Sequence, residues 1–461
     1  MKKIMYMCMM LIATTLTFIA CGDDKDDLPE EPSKDKLMST IEQKEYLENV
    51  ALEFMSLMPS SDFREVADLG RFVNDYYIED YDWDRVEDWA KDILDVARES
   101  IGMTSETEKY SWGSEKYIYT NYKALLLASN FTGHFTARNG RWLQESANDL
   151  QFIFTDQRGQ QCVLKLETSG KVKNVCLWND DDWDYGGYDY NNGSYVYRYY
   201  IDNTQYTIGV PEKIIVTLTQ GGNMVVKTTV NIDLGSISEE EFNISRNNLK
   251  VSTLVELDNG YKFNVSNITY TANSKASVSF TMSKDGTSLV TIGASADIND
   301  IPSVNVSAFS AHNYNPKDYD FDNVDAKNAY VKLDILGKVQ IQGTLSDVRK
   351  FVDYLNEADK NERDEKTFKS YINEANTLAD VNLFYDGKNV KQAAVKFEPF
   401  AEDTWNGRTY WKAEPVIYFY DGTSYSTFEV FFNKKDFKKT IDTFKALANR
   451  YADLVDEHIN W

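Results

Sequence analysis

The chain has 461 residues, room for two to four domains at roughly 150 residues each. Its composition of 42% hydrophobic and 26% charged residues, with 24 Phe, 9 Trp and 30 Tyr, excludes a disordered or collagen-like chain. Lys+Arg number 49 against 73 Asp+Glu, and the formal charge of −24 repels phosphate backbones, so no nucleic acid is expected as a partner.

Lys2 and Lys3 precede an apolar run from Ile4 to Ala20 that stops at Cys21-Gly22. The run is too short to cross a bilayer stably and has the basic-then-apolar order of an export signal, so residues 1–20 read as a signal peptide. Phe18-Ile19-Ala20-Cys21 resembles a lipobox, although Phe18 stands where Leu is usual. That resemblance implies a lipidated Cys21, held in the membrane by several acyl chains at ~0.8 kcal/mol per buried CH₂; the other reading is an ordinary cleaved signal. Next, Asp23-Asp24-Lys25-Asp26-Asp27 resembles the acidic export tag of Bacteroidota surface lipoproteins. It implies an outer-membrane protein, lipid-anchored and facing outward. The plain reading of residues 21–38 is a solvated tether, since Asp, Lys, Pro and Glu bury too little apolar surface to fold. Removing Lys2 and Lys3 with the leader leaves the remainder at −26, a charge that keeps the body away from an anionic membrane surface.

From 39 to 110 the pattern is helical. Ile41, Leu47, Val50, Ala51, Phe54, Leu57 and Met58 recur at spacings of three and four, as do Val86, Trp89, Ala90, Ile93, Leu94, Ala97 and Ile101, with a shorter helix from Asp62 to Tyr77 between them. Past Tyr117 the period changes to two. Turn dipeptides follow in series, among them Asn139-Gly140, Ser169-Gly170, Asn259-Gly260, Asp285-Gly286 and Asp386-Gly387, and they predict a hairpin-rich antiparallel sheet. Alternation is clearest in Val331 to Ile341, read as one strand with apolar odd positions. Ser346 is expected to cap a helix bearing Val348, Phe351, Val352 and Leu355; Phe368, Tyr371, Ile372 and Ala375 mark a second, and Phe437 to Val455 a C-terminal third.

The fold class is therefore α+β: a helical segment over 39–110, a β-rich region over 111–324, and an α+β region over 325–461 with helices laid on the sheet. Residues 329–358 and 410–451 are similar in layout to uncharacterised Bacteroidota lipoproteins. That resemblance covers about a quarter of the chain. It implies the same address and no activity.

Cys162 and Cys176 flank a strand-turn-strand pattern. With Thr168-Ser169-Gly170 as the turn they face each other, as a cross-strand disulfide or as two buried thiols. The most unusual stretch holds Trp178, Trp183, Tyr185, Tyr188 and Tyr190 among Asp180, Asp182, Asp184 and several Gly and Asn. It reads as a ligand loop, rings stacking on sugar faces and acids accepting hydroxyl bonds, or as a solvated connector. Asp180, Asp182 and Asp184, like Asp318, Asp320 and Asp322, have calcium-loop spacing but lack the glycine and the closing Glu, so a loose Ca²⁺ site is the most they offer and no cofactor or bound metal is expected. No catalytic signature is present, and His134, His312 and His458 have no metal-ligand spacing. A non-catalytic binding role is expected, for a glycan or other extracellular polymer. The alternatives are a carrier with an apolar ligand under its helices and an envelope assembly protein with a protein partner.

Overall fold

The computed structural model describes residues 37–461 except 80, 102, 112–114, 192–193, 237–246, 273, 300–324, 404–408, 422–425, 434 and 456–461. The leader, Cys21, Asp23, Asp24, Lys25, Asp26 and Asp27 lie outside the described residues, as do Asp318, Asp320, Asp322, His312 and His458. The architecture is mixed α+β, dominated by antiparallel pairing.

In chain order, the helices α1 (Thr40–Ser56), α2 (Arg64–Phe72) and α3 (Asp84–Ile101) come first. Strands β1 (Met103–Ser111), β2 (Glu115–Leu127), β3 (Gly133–Arg138), β4 (Arg141–Glu145), β5 (Leu150–Thr155), β6 (Gln161–Asn191), β7 (Ser194–Gln220) and β8 (Asn223–Asp233) follow. Then come β9 (Leu249–Leu257), β10 (Tyr261–Thr271), β11 (Lys275–Lys284), β12 (Thr287–Asn299), β13 (Asp325–Ile335) and β14 (Val339–Asp347). The chain closes with α4 (Val348–Lys360), α5 (Glu365–Leu378), β15 (Ala379–Tyr385), β16 (Ala393–Asp403), β17 (Thr409–Phe419), β18 (Ser426–Thr427), α6 (Phe428–Phe431) and α7 (Lys438–Ala452).

The chain forms two compact units, Met1–Arg71 with Ser252–Asp300 and Val324–Trp461, and Phe72–Val251 with Ile301–Asn323. This grouping differs from the sequence segments 39–110, 111–324 and 325–461. Its cause is backbone pairing: β12 joins β13 in register from Val290↔Ile335 to Asn299↔Asp325, which draws β9–β12 into the same sheet as the C-terminal strands.

In the first unit the strands from β10 to β18 form a meander in which each pairs antiparallel with the next, and β9 pairs with β10. Period-two patterning sorts its residues onto two faces. On one, Ala296, Ala329, Leu345 and Phe397 pack with Phe351 of α4 and Ala375 of α5, while Trp411 and Ala413 meet Phe368 and Ile372. Toward the other strand ends, Val339, Leu383 and Tyr385 of the same face meet Leu47 and Val50 of α1, and Ala393, Ile417 and Phe419 meet Phe431, Phe437 and Ile441. On the opposite face β11 to β14 carry mostly polar side chains, such as Ser277, Ser279 and Thr281, while Phe384, Ala394 and Val416 on β15 to β17 are buried there.

Val331 to Ile341 is two strands, not one: Leu336 and Gly337 take φ of 57° and 68° and turn the chain, with Ile335↔Val339 the first pair. A three-residue turn keeps odd positions on one face, which is why the alternation ran through it unbroken. The helix cap is also displaced by one residue. Asp347 accepts from Lys350 N at 2.9 Å, whereas Ser346 Oγ donates to the Leu378 carbonyl.

The chain after α1 is tied to the sheet by Tyr261, fully buried on β10. Its hydroxyl donates to Leu57 O at 2.7 Å and lies 3.1 Å from Asp62 Oδ2, which also pairs with Lys284 Nζ at 2.5 Å. Tyr261→Phe is expected to lower unfolding free energy by about 0.5–1.5 kcal/mol, because the partly buried Leu57 carbonyl and Asp62 carboxylate lose a donor. Denaturant titration of the variant checks this, and an unchanged midpoint contradicts it.

Candidate functional site

In the second unit β6 and β7 form a long antiparallel ribbon from Cys162↔Gln220 to Asn191↔Ser194. Beside it β2 runs parallel to β7 from Glu115↔Tyr197 to Leu127↔Gly209, and β1 closes a hairpin with β2. Helix α3 seats Ile93, Leu94 and Ala97 on Ala124, Leu126, Tyr206 and Ile208 near the base of the ribbon. Below it β5 pairs with β6 and β8 with β7, while β3 pairs parallel to β5 and antiparallel to β4.

This register corrects two expectations. Trp178 to Tyr190 is strand, not loop, paired residue by residue with β7: Trp178↔Tyr206, Trp183↔Ile201 and Tyr190↔Tyr195. Ser169-Gly170 is no turn either; Gly170, with φ 87°, sits at a register shift within β6, the other local use of a left-handed glycine. Cys162 and Cys176 therefore lie on one strand, 14 positions apart. At ~3.3 Å per residue that is roughly 45 Å, far beyond disulfide reach. Cys162 is a free thiol, fully buried, and burial pushes its pKa up to about 11.

The same register assembles something that spacing alone did not show. Opposed residues on neighbouring strands share a face, so Tyr117 of β2, Tyr199 of β7 and Tyr185 of β6 form one rank across three strands. Tyr117 stacks on Tyr199 with ring centroids 5.0 Å apart and planes at 17°, and Tyr199 lies 5.5 Å from Tyr185. The next rank pairs Tyr188 with Tyr197 at 4.8 Å, and Tyr195 follows 6.4 Å from Tyr188. Tyr185, Tyr188 and Tyr195 are 48%, 57% and 62% exposed. Six rings thus make a continuous surface near the ribbon's tip, about 14 Å along the strands and about 10 Å across.

Gly186-Gly187 is the device that aligns it. Residues three apart on a regular strand face opposite sides, but a bulge between Tyr185 and Gly187, with Gly187 at φ 95°, brings Tyr185 and Tyr188 onto one face in edge contact at 6.2 Å. At Gly186 a Cβ would come within 2.2 Å of the Tyr200 ring, so the bare backbone there admits that ring. The Tyr197 hydroxyl is held above its ordinary pKa, first by its hydrogen bond with Tyr188, and Tyr185 likewise, first by desolvation. A phenol can both donate and accept, so these hydroxyls suit a polyhydroxylated partner.

Tyr117, Tyr195, Tyr197 and Tyr199 were missed in the sequence; the signal was the alternation Tyr195-x-Tyr197-x-Tyr199. Asp180, Asp182 and Asp184 lie opposite Thr204, Asp202 and Tyr200 in extended strand, a geometry that does not wrap a cation as a calcium loop does. Among the described residues no group of three His, Cys, Asp or Glu is placed to hold a metal ion. His134 Nε2 lies 2.7 Å from Asp149 Oδ1. Gln151 and Lys165 hold the same carboxylate, whose pKa is lowered first by the Gln151 bond, so the group is a local polar clamp between β3, β5 and β6.

No family model matches the chain, and neither a curated protein nor a solved structure is significantly similar to it.

Two outcomes follow from this register. Gly187→Val forces a β-branched residue to positive φ, at a cost of about 1–3 kcal/mol, and is expected to weaken the near-ultraviolet circular dichroism of the ring face; an unchanged spectrum contradicts the bulge. Alkylation under non-reducing, denaturing conditions should label Cys162 and Cys176 separately by peptide mass mapping. A linked peptide pair would contradict the single-strand register.

Proposed function

We propose that this chain is an exported bacterial lipoprotein, anchored through lipid on Cys21 and facing outward from the outer membrane, that binds an extracellular polymer without catalysis. A glycan is the polymer its chemistry favours. The observation that carries this reading is the six-tyrosine face of the β2–β7–β6 ribbon. Flat, rigid rings lose little conformational entropy on binding, stack on the apolar faces of sugar rings, and offer hydroxyls at their edges. Three of the six rings are about half exposed, an unusual allocation of large side chains unless something covers them.

A carrier of an apolar ligand would need a pocket between helices and sheet. There Phe351, Phe368, Ile372 and Ala375 fill the space against Leu345, Phe397 and Trp411. That filling favours the polymer reading over the carrier one.

The test is affinity electrophoresis of the purified chain against a panel of polysaccharides. Tyr185→Ala with Tyr188→Ala and Tyr197→Ala removes three rings worth about 0.5–1.5 kcal/mol each, so binding should weaken at least about tenfold while thermal unfolding stays the same. Unchanged retardation would move the site elsewhere. The address is tested separately: Cys21→Ala should release the protein from membranes, and Ala at Asp23, Asp24, Asp26 and Asp27 should remove its accessibility to protease on intact cells. Retention in both assays would contradict the anchor and the tag.

A further inference from the structure

The face of the meander opposite α1, α4 and α5 holds a second, chemically different site. A groove of about 440 Å³ lies on β13, β14 and β15, within the range of small-ligand pockets. The register lays its lining out as three ranks of three. Tyr330, Thr344 and Asp380 form the first rank; Lys332, Gln342 and Asn382 the second; Asp334, Gln340 and Phe384 the third. The turn after β15 adds Lys388, Asn389 and Lys391 as a wall.

Most of these groups are fixed before any ligand arrives. Gln340, 2% exposed, accepts from Gly387 N at 3.0 Å and donates to Asp334 Oδ2 at 3.3 Å. Asn382, 3% exposed, donates to Asp380 Oδ1 at 2.9 Å and accepts from the Tyr420 hydroxyl at 3.3 Å. Lys391 pairs with Asp380 at 3.1 Å and Lys388 with Asp386 at 3.1 Å. Lys332, in the middle rank, has no ion-pair partner among the described residues. Its neighbour across the sheet is Gly293, where even a Cβ would meet nothing within 4 Å. One cation therefore stands in the centre of a polar grid with room beside it.

We propose that this groove binds a sugar acid, with the ligand carboxylate on Lys332 and its hydroxyls on Asp334, Gln342 and Asp380, the last held in place by Asn382. Tyr330, partly exposed at one corner of the grid, offers apolar surface to a sugar ring, and Phe384, buried at the opposite corner, closes the floor. Carboxylates suit a polyhydroxylated ligand because each accepts hydroxyl hydrogens. They disfavour a phosphate, whose double negative charge would face both Asp334 and Asp380. A neutral sugar would leave the Lys332 charge without a partner. This site lies in the first unit and does not involve the tyrosine face.

Isothermal calorimetry of the purified chain with glucuronate, galacturonate, glucose and inorganic phosphate tests the proposal. At least one of the two uronates should bind saturably, one per chain and at least tenfold tighter than glucose or phosphate. Lys332→Gln should reduce that uronate to the level of glucose with thermal unfolding unchanged, and the Tyr185, Tyr188 and Tyr197 triple variant should bind it as the parent does. Absence of saturable binding by both uronates, equal binding of glucose or phosphate, or full binding by Lys332→Gln would each overturn it. A triple-tyrosine variant that lost uronate binding would overturn the separation of the two sites.

Discussion

A strand whose side chains alternate between faces can bury one face under helices and must find another use for the second. The β9–β18 meander applies that constraint strand after strand. Its apolar positions support α4 with α5 at one end and α1 with Phe431, Phe437 and Ile441 at the other, so every helix of the unit with a described core contact is on that side. Ser, Thr, Gln, Asn and Lys gather on the other over β11 to β14, beside buried Phe384, Ala394 and Val416. Buried amides on that face, Gln340 and Asn382, each satisfy both ends of the side chain with protein partners, which fixes the acids beside them.

The same alternation has a different result in the ribbon of the second unit. There the tip strands β2, β7 and β6 carry tyrosine on one face, and the rings pack on one another in stacked, tilted and edge contacts. Toward the base, Ile201 continues the face of Tyr199 and is fully buried, while on the opposite face α3 packs on Ala124 and Leu126. Burial is thus graded along one ribbon, from a packed base to an exposed aromatic tip. The Gly186-Gly187 bulge is the local device that keeps β6 in phase with its partners across that gradient.

Much of the fold was legible because it depends on short-range pattern. The three N-terminal helices, the stripes of α4 and α5, and most hairpin turns follow from spacing and from glycine at positive φ. What was not legible depends on pairing between distant segments. No local feature told that Gly170 bends a strand while Gly286 turns one, since both need the same left-handed backbone. Leu336 disguised a turn because its loop length preserved parity. The tyrosines of the candidate site were visible as residues, but their common face required the β2–β7 register, which joins positions about 80 apart in sequence, and the β6–β7 register, which joins Tyr185 to Tyr199 and Tyr188 to Tyr197. Trp178 to Tyr190 was singled out correctly as unusual and assigned the wrong backbone, because Asp, Asn and Gly are turn residues by propensity and here serve a long ladder.

The most direct measurement is nuclear magnetic resonance of the chain labelled with ¹³C at tyrosine, titrated with soluble oligosaccharides of whichever polysaccharide retards it. Perturbation should concentrate on Tyr117, Tyr185, Tyr188, Tyr195, Tyr197 and Tyr199 and saturate together. Saturating shifts at other tyrosines, with these six unmoved, would contradict the assignment of the ring face as the polymer-binding surface.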